Sequence, residues 1–383
     1  MKIKQINLFK TRVPFQRKFS HALSKGVCAD NVVLEVLPEQ GDIKGYGECA
    51  PRPYVTGETQ DSVSRSVEFF LEGGGFPWDL DHVSRIWDFV DSIPDTREHN
   101  AALCALETAI LDLFGKAQRT SVIEYFPKDF ASESVCYGAA IPMDGEERIL
   151  ETCRRIEELG ISRIKVKMGK SVEQNKKILE VVNKVFENRC DIKVDANGAW
   201  DRKVAFEHFP VIVDHKIAVV EQPMKPGDPA LGEFADRIKA HGVKVMADES
   251  TCSLSEVKGV VAEGQYNMIN VRLSKCGGFR RSLRIVEYLR EINVPFQIGC
   301  QLGESGLLSA AGRILSLLCK DAMYHDGSYD AFLLNENTTE SHVSFGRYGE
   351  AGPLGGSGLG VKVNRHNLDL LSGRAGIIRF KRP

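Results

Sequence analysis

This sequence offers no thiol or imidazole metal site of a familiar kind. Its 10 cysteines are scattered and no CxxC pair occurs. That excludes a disulfide framework and a zinc site of such spacing, and points to reduced thiols in a cytoplasmic protein. Histidine is scarce, 9 in 383 residues, with no HxH or HExxH. The formal net charge is only −2, so there is no basic field for nucleic acid or an anionic membrane surface. No apolar run approaches the length of a membrane span. The opening residues, MKIKQINLFKTRV, alternate like a strand and lack the apolar stretch of a signal peptide.

What is there is the balance of a globular protein, 43% hydrophobic and 27% charged. A length of 383 residues suits two domains better than one small core. Residues 1–125 begin with strand-like alternation and pass through loops at FQRKFSHALSKG (15–26) and CAPRPYVTGET (49–59). They end in NAALCALETAILDLFGKA, apolar on nearly every face and therefore a buried helix. This is an α+β capping domain. Residues 126–350 repeat a short apolar strand followed by an amphipathic helix. Examples are RIKVKM before SVEQNKKILEVVNKVF and MINVRL before FRRSLRIVEYLREIN. A weaker helical stretch lies near VAFEHF and a poorly defined eighth strand near AMYHDG. Gly160, Gly242 and Gly264 stand where glycines end helices. Such alternation predicts a parallel sheet closed into a TIM-like (β/α) barrel. Residues 351–383, Gly-rich and then strand-like at GVKVN, are expected to return to the first domain.

In such barrels the working residues stand at the C-terminal ends of the strands. Those ends carry Lys165 and Lys167, then Asp195 and Asn197, Glu221, Asp248 and Glu249, and Lys275. Three successive strands each deliver a carboxylate to one rim. They would repel one another unless a cation sat among them. Oxygen ligands point to a hard ion, Mg²⁺, with Mn²⁺ the alternative. Asp248 has the inward parity of VKVMAD; Glu249 is expected to pair with a neighbouring charge. Lys165 and Lys167, two apart on one strand, face the same side. Lys165 would depress the pKa of Lys167, which would act as base, with Lys275 arriving from the far side of the barrel. A small-molecule carboxylate substrate would lose its α-proton to give an enediolate.

As a set, KVK (165–167), VDANGAW (194–200), VEQP (220–223), ADES (247–250) and LSKCGG (273–278) resemble the enolase superfamily, and within it the muconate lactonizing enzyme subgroup. The resemblance runs over nearly the whole chain. It implies a modified (β/α)7β barrel, Mg²⁺ on Asp195, Glu221 and Asp248, and Lys167 with Lys275 as the acid/base pair. It also implies three outcomes from one enediolate: racemisation or epimerisation of a dipeptide or N-acylamino acid, elimination as in o-succinylbenzoate synthase, and cycloisomerisation as in muconate lactonizing enzymes. Dipeptide epimerases carry an Asp-x-Asp near the eighth strand for the substrate ammonium. Here HDGSYD offers Asp326 and Asp330, four apart, with Ser328 where an Asp is expected. Tyr54, Phe19, His21, Gln301 and Glu304 are the further candidates to contact substrate. The alternative of a non-catalytic protein on the same scaffold is disfavoured by the intact ligands and lysines, and a homo-oligomer is expected.

Overall fold

Alternation at the N-terminus becomes a four-stranded antiparallel sheet. β1 (Ile3–His21), β2 (Ser24–Pro38) and β3 (Gly45–Cys49) follow in sequence; α1 (Gln60–Glu72) and α3 (Asn100–Gln118) pack against them, and α2 (Ser84–Ser92) packs on α3. The computed structural model describes residues 1–383 except 22, 23, 188 and 374–376, and leaves the side chains of 18–21, 24 and 25 undescribed. The loop expected at 15–26 is instead the far end of the β1–β2 hairpin, with a register shift between Pro14 and Phe19. An isolated bridge from Phe15 to Leu334 lays this hairpin against the barrel. Every residue of α3 from Asn100 to Gly115 is buried, as its unbroken apolar pattern predicts.

After a short β4 (Val135–Cys136) comes the alternating region. It runs β5 (Ala139–Ile141), α4 (Glu146–Glu158), β6 (Arg163–Lys167), α5 (Val172–Phe186), β7 (Asp191–Asp195), α6 (Arg202–Asp214), β8 (Val219–Glu221) and α7 (Leu231–Lys239). It continues with β9 (Lys244–Ala247), α8 (Leu254–Ala262), β10 (Met268–Arg272), α9 (Phe279–Glu291), β11 (Phe296–Gly299), α10 (Gly306–Leu317) and β12 (Tyr324–His325). Strands β5 to β12 form one parallel sheet in sequential order. The Gly138 N–H donates to the His325 carbonyl at 2.8 Å, joining the two edges. This is the (β/α)7β barrel. The stretch near VAFEHF is a full helix, α6, started by the Asp201 side chain on the Val204 N–H and continuing through Pro210.

Beyond β12 lie α11 (Asp330–Leu333), β13 (Glu350–Ala351) paired with β4, α12 (Arg365–Ser372) and β14 (Ile377–Lys381). β14 lies antiparallel to β1, so the last strand of the chain shares the N-terminal sheet. The strand expected at GVKVN is represented only by an isolated bridge, Thr339 to Val363. Among the described residues no helix is long and apolar enough to cross a membrane.

Inward-facing positions alternate along each barrel strand, and their chemistry changes with height. Val219, Met246, Met268 and Tyr324 form an apolar cluster inside the barrel. Beside it in register stand Lys193, opposite Val219, and Gln297, opposite Tyr324, with Lys165 and Asn270 as their neighbours; two residues further along their strands, at the rim, come Lys167, Asp195, Glu221 and Arg272. The cap is tied to this barrel by buried carboxylates set at helix starts, where free N–H groups need acceptors. Glu48 of β3 accepts from the Ser305 and Leu308 N–H groups of α10 at 3.1 and 2.9 Å and from the Ser305 hydroxyl at 2.6 Å. Glu48→Ala strands these buried donors. It is expected to cost about 3 kcal/mol, read as a lower urea midpoint with an unchanged m value.

Candidate active site

The three rim carboxylates are fully buried neighbours. Asp195 and Glu221 are paired across β7 and β8, and Asp248 follows β9 by one residue. Each meets protein cations. The Lys167 ammonium donates to Asp195 Oδ2 at 2.5 Å and to Asn197 Oδ1 at 3.1 Å. Glu221 accepts from Lys165 at 3.1 Å, from the Asn270 amide at 2.6 Å and from Arg272 at 3.4 Å. Asp248 accepts from Arg272 and, at 3.0 Å, from Lys275. Burial works against the charge of Asp195, but the Lys167 and Lys165 ammonium groups outweigh it and hold its carboxyl below the usual range.

Lys165 and Lys167 share a strand face without sharing a partner. Lys167 sits at the rim on Asp195. Lys165, one pleat lower, reaches Asp326 Oδ2 at 2.6 Å as well as Glu221. Burial opposes the Lys165 charge, yet Asp326, Glu221 and Asp195 together hold its pKa above the ordinary lysine value. The expected repulsive pair is thus two ammonium groups each compensated by different carboxylates. Lys275 is fully buried and donates to the Asp248 and Asn270 carbonyls at 2.8 and 2.6 Å. Burial pulls its pKa down.

With Arg and Lys on the carboxylates, no three acidic, Cys or His groups among the described residues form a preassembled metal cage. The donor set nevertheless fits a hard divalent cation: three buried carboxylates from neighbouring strand ends. Three buried polar atoms beside them, Glu249 Oε2, Asn270 Oδ1 and Arg272 Nε, have no partner. Asp195, Glu221 and Asp248 are the residues that would hold the ion. Glu249 does not find the neighbouring cation expected of it. Its Oε1 accepts from the neutral Asn197 amide at 3.1 Å, and burial with Asp195 nearby pushes its carboxyl up to about 7.

A cavity of about 330 Å³ opens over this cluster, between the barrel mouth and the cap. Lys165, Lys167, Asn197, Tyr54, Gln301, Glu304 and Asp326 all line it. Lys275 does not; Arg272, the other cation on Asp248, does. Gln301 and Glu304 do not cap the helix that follows them. The Gln301 amide oxygen accepts from Arg272 at 3.0 Å, and Glu304 accepts the Gln301 N–H at 2.6 Å. Asp330 stands apart from the cavity. It is buried and accepts from the Asn337 amide at 2.6 Å and the Val343 N–H at 3.0 Å, so it organises the segment after β12. Asp326 lies at the cavity wall but is occupied by Lys165 and, at 3.1 Å through both oxygens, by Lys193. The side chains of Phe19 and His21 lie outside the described residues.

Sequence reasoning missed Arg272, Lys193 and Asn270. Their signal was the same period of two that picked out the lysines: Lys193 precedes Asp195 by two, and Asn270 and Arg272 share one face of β10. It also missed how α3 sets the Lys275 loop. The Asn100 amide donates to the Lys275 and Cys252 carbonyls, each at 2.7 Å. Glu107 accepts the first N–H groups of α9, at Phe279 and Arg280. Gly278 has φ +96°, and a Cβ there would come within 1.9 Å of Glu107 Oε2. Gly278→Ala is therefore expected to cost about 1–3 kcal/mol in stability and to lower turnover by shifting Lys275. Urea unfolding and steady-state rates check the two effects separately.

The sequence profile of the enolase C-terminal domain-like family matches residues 148–367. A hydrophobic dipeptide epimerase of Enterococcus faecalis is 26% identical over 316 residues, spanning 81% of this chain and 86% of that protein. The N-succinyl Arg/Lys racemase of Bacillus cereus superposes with a TM-score of 0.85 at 20% identity, over 100% of both chains. A dipeptide epimerase of Cytophaga hutchinsonii, solved with Mg and the dipeptide D-Ala-L-Val, superposes with a TM-score of 0.82 at 22% identity, over 99% of this chain and 100% of that one. At those identities the superpositions speak for the fold. The profile match, which takes in more than half of the chain, places this protein in the enolase C-terminal domain-like family, and it is an enzyme of the enolase superfamily.

Proposed function

We propose that this enzyme moves the proton α to a substrate carboxylate from one face of the carbon to the other, as a racemase or epimerase of a dipeptide or N-acylamino acid. The observation that carries the reading is the disposition of the two lysines. Lys167 ends β6 and Lys275 follows β10, strands that stand opposite one another in an eight-stranded barrel, with the three carboxylates on the strands between. One base on each side of a bound α-carbon is what inversion at that carbon requires. The epimerase and racemase relatives support the choice of reaction.

The charge balance of the cluster supports it too. Lys165, Lys167, Lys193, Arg272 and Lys275 stand beside Asp195, Glu221, Asp248, Glu249 and Asp326, five cations beside five carboxyl groups. A Mg²⁺ held by Asp195, Glu221 and Asp248 would add two positive charges and polarise the substrate carboxylate. With the lysine that acts as base neutral, four cations, the two charges of the ion, five carboxylates and a substrate carrying one negative charge cancel, and passing the α-proton to that lysine changes substrate and base by one unit each, so the balance holds. Lys167 removes the proton as the neutral amine and returns it as the ammonium, from the side of β6. Lys275 serves the other face, and Arg272 retains Asp248 when the Lys275 ammonium turns away from it. Lys165, held charged by Asp326, keeps a fixed positive charge beneath the substrate carboxylate.

Incubation with Mg²⁺ and candidate substrates in D₂O tests the reaction by ¹H NMR. α-Deuteration with the skeleton intact is expected; a new alkene or lactone would show a lyase or cycloisomerase of the same superfamily instead. Lys167→Ala and Lys275→Ala should each lower epimerisation by at least about 100-fold while each still exchanges the α-proton of one enantiomer. Equal residual exchange from both enantiomers would rule out two one-sided bases. Glu221→Gln removes one of three ligand charges and is expected to weaken Mg²⁺ binding by at least about tenfold in isothermal titration.

A further inference from the structure

Outside the cavity lies a buried polar cluster that the proton transfer does not touch. Asn175 of α5, His208 of α6 and Trp200, which follows β7, are each at most 2% exposed. Protein cores are mostly hydrocarbon, and a buried amide or imidazole costs free energy unless its polar atoms find partners. Here every one does. The Val204 carbonyl can only accept, so His208 Nδ1, 2.8 Å away, carries the proton. Burial pulls the pKa of the ring down. The ring is therefore neutral at neutral pH, and Nε2 is an acceptor. The Asn175 amide donates to it at 2.7 Å, which fixes the direction of that amide. Trp200 stacks on the same imidazole, with ring centroids 4.3 Å apart and planes 12° from parallel.

The cluster converges on Gly169. The Asn175 amide also donates to the Gly169 carbonyl at 2.8 Å, and its oxygen accepts the Gly169 N–H at 3.2 Å. The Trp200 indole N–H donates to the same carbonyl at 2.9 Å. Both polar groups of this one peptide position are thus held by side chains. Gly169 follows Lys167 by two residues. The register of β6 with β5 ends at Val166 and that with β7 at Lys167. The Met168 N–H still reaches the Asp195 carbonyl at 2.8 Å. Beyond it the side-chain clamp replaces the sheet in holding the chain. Every side-chain hydrogen bond of the cluster stays between β6 and α6, whereas Lys275 lies beyond β10.

We propose that Asn175, oriented by His208 and joined by Trp200, is a positioning residue for Lys167. By fixing the turn at Gly169, the three side chains hold the Lys167 ammonium against Asp195 and Asn197, at 2.5 and 3.1 Å. This rests on the racemase or epimerase reading, and it assigns to one of the two bases a support that the other does not share.

That asymmetry supplies the test. With the Mg²⁺-loaded full chain in D₂O, α-deuteration of N-acetyl-L-phenylalanine and of N-acetyl-D-phenylalanine is followed separately by ¹H NMR. Asn175→Leu keeps the volume and removes all three hydrogen bonds. It should slow whichever enantiomer Lys167→Ala slows, by at least about tenfold relative to the other. Trp200→Phe keeps a ring on His208 and removes one donor. It should shift the ratio the same way by about threefold, and it decides the matter if Asn175→Leu does not fold. Loss of packing alone slows both enantiomers alike, so equal slowing, or an unmoved ratio in a folded variant, overturns the proposal. Crystal structures of the folded variants give a readout that needs no turnover. Lys167 Nζ should leave its place on Asp195 while Lys275 stays; an unmoved Lys167 overturns the positioning role. If the unaltered enzyme deuterates neither enantiomer, the reaction reading fails for this compound, and the place of Lys167 in the variants still decides the positioning role.

Discussion

Three carboxylates buried side by side are tolerable only where cations meet them. At the mouth of this barrel that requirement recruits most of the inward-facing residues of six strands. Asp195, Glu221 and Asp248 draw in Lys167, Lys165, Arg272 and Lys275, and Lys165 in turn shares Asp326 with Lys193. Removing any one partner leaves an uncompensated charge in a low-dielectric interior, the costly case for buried ion pairs. The apolar cluster of Val219, Met246, Met268 and Tyr324 packs within the barrel, Val219 and Tyr324 in register with Lys193 and Gln297.

The same rule, a buried carboxylate matched to donors, joins the cap to the barrel. Glu48 and Glu107 both come from cap elements and both accept from the first N–H groups of barrel helices. Their neutralising partners are helix N-termini instead of side-chain cations. Asn100 adds a direct grip on the Lys275 carbonyl. A helix of the cap therefore sets the position of a residue at the barrel rim. The two glycines of LSKCGG are the places where that helix comes too close for a Cβ: Glu107 stands against Gly278 and Asn100 against Gly277.

Asp326 faces the cavity and is held there by two lysines. Asp330, four residues further on, is turned into the packing beneath the segment after β12. Two aspartates four residues apart therefore do different work, one holding lysines at the cavity wall and one organising the chain beyond β12.

Much of this was legible in the chain itself. Alternation of strand and helix fixed the barrel, and the period of two along each strand decided which residues faced inward, because both are local properties of backbone geometry. The rim motifs KVK, VDANGAW, VEQP, ADES and LSKCGG follow from that reading. What the sequence left open were partnerships across the barrel. Lys193 and Asp326 are 133 residues apart, and only closure of the sheet brings them together. Whether Lys165 stood beside an unpaired ammonium or among carboxylates, whether Glu249 found a cation or a neutral amide, and whether Asp330 reached the cavity were settled by tertiary contacts. Pairing depends on which strands become neighbours and how far each side chain reaches, and no local period encodes either.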